Sequence, residues 1–141
     1  QIDFTVGVLD TEYTSVGQAT QIAVGDTFQQ APDLTYSIGL QHNATLANGA
    51  GVTTRFDYGF VDDYVRVRES QRQSFQKSYA KVNARITYGA PDGNWRVAVF
   101  GTNLTDERYL NSGFLSTGFA FDLATVARPR EVGVSMEFFL D

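Results

Sequence analysis

Residues 78–102 read SYAKVNARITYGAPDGNWRVAVFGT. Ala80, Val82, Ala84, Ile86 and Tyr88 take every second position, with Lys81, Asn83, Arg85 and Thr87 between them. Alternation of period two marks a strand whose two faces differ chemically. The run stops at Gly89, where Pro91-Asp92-Gly93 supplies turn chemistry. It resumes through Trp95, Val97 and Val99 opposite Arg96 and Thr102, with Phe100 as an exception. The stretch is a hairpin, and the rest of the chain follows its rhythm.

Working outward, Leu34, Tyr36, Ile38 and Leu40 oppose Thr35, Ser37, Gly39 and Gln41. Val52, Phe56, Tyr58, Phe60 and Tyr64 oppose Thr53, Arg55, Asp57 and Asp63, and Val134, Met136, Phe138 and Leu140 oppose Glu131, Ser135 and Glu137. A further strand over residues 2–13 begins with Ile2, Phe4, Val6 and Val8 on one face. About six strands result, each about 9–14 residues long, against a usual mode of about 5–6. A tilted strand needs about 9–11 residues to cross a bilayer, so these are long enough. The links at 45–51 and 89–94 are short, whereas those near 15–32, 65–77 and 105–128 are long and polar or rich in Gly and Ser. Short turns at one end and long loops at the other follow the bacterial outer-membrane pattern. A soluble antiparallel sandwich also alternates, so a self-contained small β-barrel or β-sandwich that binds a ligand or partner is the competing expectation.

Composition narrows the function. Hydrophobic residues form 43% of the 141, which is too apolar for a disordered chain. No apolar run approaches the roughly 18 residues of a transmembrane helix. A mean hydropathy of -0.21 suits alternating strands, which average near neutral. Cysteine is absent, which removes disulfides, thiolate catalysis and Cys-bound zinc. The net charge of -5 argues against nucleic acid as a partner. His42 has no His, Cys or carboxylate cluster at ligand spacing, and Asp62 and Asp63 are adjacent on a strand and point to opposite faces. With no nucleophile elbow and no phosphate loop, the expectation is a chain with no catalysis, cofactor or metal.

Three segments together resemble the end of TonB-dependent outer-membrane receptors. GNWRVAVFGTNLTDERYL at 93–110 looks like the penultimate strand and its asparagine-leucine-aspartate turn. ARPREVGVSMEFF at 127–139 looks like the proline-arginine lead-in and the closing strand, and SYAKVNARITYG at 78–89 is similar to the strand before that pair. APDLTYSIGL at 31–40 and TTRFDYGFVDDYV at 53–65 match the order of strands upstream. One departure is that Leu140 holds the position where the family commonly ends on an aromatic residue.

The resemblance implies an all-β fold, an antiparallel transmembrane β-barrel segment in the outer membrane of a Gram-negative bacterium. Residues 1–141 would form the C-terminal part of a barrel of about 22 strands, without the plug domain or the segment that contacts TonB. The short turns would face the periplasm and the long loops the outside. Partners implied are outer-membrane lipid and lipopolysaccharide, the plug and remaining barrel strands, the TonB complex through the missing N-terminal part, and a small scarce solute. Siderophores, cobalamin and oligosaccharides all fit that description. Within the motifs, Asn103, Asp106 and Tyr109, with Pro129, Arg130 and Gly133, read as structural, since Asn and Asp side chains cap backbone where a strand leaves a sheet. Arg66, Arg68 and Arg72 in the second outer loop are candidates for an anionic ligand. Lipopolysaccharide phosphates or neighbouring carboxylates are the plainer alternatives for them. Trp95, Tyr88, Tyr58, Tyr64 and Phe138 read as an aromatic girdle at the membrane interface.

Overall fold

A computed structural model describes residues 1–18, 22–69, 72–115 and 121–140, without the side chains of 67–69, 72, 73, 114, 115 and 122. Ten strands run in chain order: β1 (Ile2–Val8), β2 (Leu34–Thr45), β3 (Gly51–Val61), β4 (Tyr64–Glu69), β5 (Arg72–Gln76), β6 (Tyr79–Gly89), β7 (Trp95–Thr102), β8 (Leu110–Leu115), β9 (Asp122–Val126) and β10 (Glu131–Phe138). Six of them form one antiparallel sheet in the order β1-β2-β3-β6-β7-β10, while β4-β5 and β8-β9 are separate hairpins. The six strands read from the alternation are the six of this sheet. Two expectations change. The first strand ends at Val8, not residue 13, and two loops read as irregular carry hairpins of their own.

The register carries one largely apolar face across the sheet. Phe4 pairs with Ile38, Ile38 with Tyr58, and Tyr58 with Val82. Lower down, Ile86 pairs with Val99 and Val99 with Val134. Because side-chain direction has period two, these rows are largely apolar on that face and largely polar on the other, with His42 and Thr54 the polar members of the Ile86 row. The apolar face stays open: Ile2, Phe4, Val8, Ile86, Val132, Val134 and Phe138 are all more than half exposed. Among the described residues the buried apolar set is only Ala50, Val65, Ala90 and Ala98, and no large side chain is fully buried. A sandwich buries the inner faces of two sheets against each other. Among the described residues no second sheet lies on the first.

The turns match in chemistry and in place. In β2–β3, Gly49 has φ 86° and its N–H bonds the Leu46 carbonyl at 2.9 Å, while the Asn48 side chain accepts from Ala50 N–H at 3.1 Å. In β6–β7, Gly93 has φ 75° and bonds Ala90 at 3.0 Å, and Asp92 accepts from Asn94 N–H at 3.2 Å. Glycine is needed at both because an L side chain rarely takes that backbone angle. All three long connections, 9–33, 62–78 and 103–130, lie at the opposite end.

Candidate functional site

The polar face is an ordered array of charge. Arg55 bridges two carboxylates, with Nη1 2.5 Å from Asp3 Oδ2 and Nη2 2.6 Å from Asp57 Oδ1. It reaches them by crossing Gly39, where a Cβ would strike the guanidinium. Arg85 donates to Ser135 Oγ at 2.9 Å and lies 5.5 Å above the Phe100 ring. Phe100 is the residue that broke the alternation. Its ring covers Gly133, whose missing Cβ would come within 2.6 Å of it, as aromatic side chains do over bare glycine in sheets. Arg96 donates to Glu137 through Nε at 3.0 Å and Nη2 at 2.6 Å. Pairs this exposed contribute only modestly to stability; what they do is fill the polar face with fixed charges.

Where β7 leaves the sheet, Asn103 takes a left-handed φ of 49° and is 6% exposed. Its Nδ2 donates to the carbonyls of Glu107 at 2.9 Å and Arg128 at 3.2 Å, and its Oδ1 accepts from Glu107 N–H at 2.9 Å. Asp106, at φ 54°, accepts from Arg130 N–H at 2.9 Å. Tyr109 stacks on Tyr79 with ring centres 4.0 Å apart and planes 6° from parallel. Lys81 Nζ stands 5.5 Å over the Tyr109 ring. Beside this group opens a polar recess of about 220 Å³, bordered by Lys81, Asn83, Tyr109, Arg128, Pro129 and Glu131.

The long connections are tied to one another. Gln30 N–H bonds the Val65 carbonyl at 2.8 Å, joining the first connection to β4. Gln76, 5% exposed, accepts from Leu110 N–H at 2.8 Å, joining β5 to β8. The register of β4 against β5 slips between Val65 and Val67, leaving Arg66 as the extra residue of a bulge. Strict alternation would turn Val65 and Arg66 to opposite sides, yet both are buried, at 7% and 4% exposure. Of the three arginines singled out from sequence, Arg66 therefore points between the hairpins. Arg68 pairs with Gln73 and Arg72 with Glu69 in the β4–β5 register, and the side chains of Arg68 and Arg72 lie outside the described residues. Sequence reading missed Gln76, Ser74 and Gly113 as partners in this region, and no periodic signal marks a bulge. Tyr58, Tyr88, Trp95 and Phe138 lie on the apolar face, while Tyr64 opens β4, outside the six-stranded sheet. Among the described residues no group of His, Cys, Asp and Glu is arranged to hold a metal ion.

No family model matches the sequence. Among solved structures, the chain is similar to the ferric yersiniabactin uptake receptor FyuA from Yersinia pestis, with a TM-score of 0.69 and 19% identity. The match covers 80% of this chain and 17% of that receptor. At that identity the likeness is one of fold. The chain spans about a sixth of the protein it matches.

Proposed function

We propose that this chain is part of the barrel wall of a TonB-dependent outer-membrane receptor that takes up a scarce solute. The observation that carries the reading is the uncovered, largely apolar face that runs over six strands, backed by a polar face of paired charges. In water such a surface would aggregate; in a bilayer it is the surface that lipid requires. The aromatic residues support the same placement. Tyr36, Tyr58 and Phe60 cluster near the long connections, with ring centres 5.0 and 5.9 Å apart, and Tyr88 meets Trp95 at 5.6 Å near the turns. The rows of Phe60 and Tyr88 are eight residues apart along β6, or about 20 Å of height at about 3.3 Å per residue and a ~40° tilt. That approaches the roughly 25 Å apolar band of such barrels.

In this reading the polar face lines the lumen and contacts a plug, the turns face the periplasm, and the hairpins face the medium. Arg66, Arg68 and Arg72 lie on the solute's approach, and a ferric siderophore is one solute class that fits. TonB engages a part of the protein outside these residues. The chain contributes wall, lining and loops, with no catalysis. The test is fractionation of cells with an antibody against residues 62–78. A heat-modifiable outer-membrane band with the mass of a barrel of about 22 strands plus plug is expected; a soluble band near 15.6 kDa would contradict it.

A further inference from the structure

We infer that Arg66 is the receiving group of an oxyanion site between the two outer hairpins, taking the carboxylate or phosphate of a small solute. The bulge turns its side chain off the hairpin and onto β8, where the guanidinium occupies the space a Cβ on Gly113 would need. Nη2 donates to Ser74 Oγ at 2.6 Å. Nε and Nη1 are buried and have no hydrogen-bond partner, and no carboxylate among the described residues pairs with the cation, the Glu69 side chain lying outside them. Folds seldom leave buried polar groups unmet, and an uncompensated buried charge is the costliest kind. The missing component is an anion. Guanidinium donors suit carboxylate and phosphate oxygens through charge-assisted hydrogen bonds. Ser74, which accepts from Arg66, keeps its own O–H free to donate to the same anion.

The hairpins are built to admit one. They belong to separate sheets, so they part without breaking a strand ladder. The side-chain hydrogen bond from Leu110 N–H to Gln76 joins them at the base. Lipopolysaccharide phosphate shares the solute's chemistry, but Arg66 is turned inward onto β8 and not out to lipid. The inference rests on the uptake reading only for the side of the membrane that the hairpins face.

The test uses the full protein in detergent, freed of lipopolysaccharide, with its thermal unfolding followed by circular dichroism. Inorganic phosphate and citrate are titrated at constant ionic strength against chloride. A saturable rise in the unfolding midpoint is expected for the native protein. Arg66→Met should weaken the apparent affinity at least about tenfold, the loss expected for one charged hydrogen-bonding group, and should unfold no earlier than native without anion. Ser74→Ala, which keeps the cation, should also weaken the response. Equal responses in native and Arg66→Met protein would overturn the site, as would no response in the native protein or an unchanged one in Ser74→Ala. Protection by added lipopolysaccharide alone, with none from dissolved anions, would overturn the solute assignment. The assay needs neither membrane nor transport, so failure of the uptake reading leaves its result standing.

Discussion

Asn103 serves three backbone groups with one side-chain amide, from a backbone angle few residues accept. Asn103→Ala is expected to strand those partners and destabilise the protein by about 1–3 kcal/mol, measured by urea unfolding in lipid vesicles. Asn103→Gly accepts the same φ without strain, so a loss of similar size assigns the effect to the hydrogen bonds, and a much smaller one to the backbone. This residue was legible in the sequence because its NLTDERYL setting is distinctive and Asn caps are local. Arg66 was legible only as an arginine in an outer loop. Its burial depends on a bulge, and a bulge is set by how two strands settle against each other, not by the side chains within either. Phe100 was visible as a breach of alternation, but its reason, the bare backbone of Gly133 one strand away, lies 33 positions along the chain.

The six strands of the sheet were readable because alternation is a direct consequence of side-chain direction, and the turns because Asn-Gly and Asp-Gly fix backbone angles. The hairpins β4–β5 and β8–β9 escaped for the complementary reason. They are short, carry bulges in both cases, and are polar enough to pass for loop. What holds them in place is non-local, chiefly Gln76 against Leu110 and Gln30 against Val65. Gln76→Leu should release β8–β9 from β5 while leaving the six-stranded sheet intact. Trypsin cleavage after the exposed Arg108 is then expected to quicken about fivefold, the factor for roughly 1 kcal/mol of lost hydrogen bonding. An unchanged rate would mean that the hairpin is held by other contacts.

At the scale of the whole molecule, the six-stranded sheet has no second sheet packed on it among the described residues, so its stability comes from ladders and from what its apolar face touches. That dependence makes the two faces respond oppositely to charge. Val134→Arg is expected to destabilise the folded protein in vesicles by about 2–4 kcal/mol if it falls near mid-bilayer, whereas Ser135→Asp, one residue on, facing the polar side and beside Arg85, should be tolerated. Folding yield and urea midpoints check both. A sheet that closed on a soluble partner would penalise Val134→Arg without any dependence on lipid. The faces are measured most directly by cysteine placement, because these 141 residues have none. Single cysteines at 81, 82, 83, 84, 85 and 86 along β6, in the protein embedded in its membrane, are reacted with a water-soluble maleimide and with a lipid-confined one. Lipid labelling at 82, 84 and 86, with none at 81, 83 and 85, is the predicted result. Water labelling of both sets alike, or protection of 82, 84 and 86 from both reagents, would contradict the barrel-wall account.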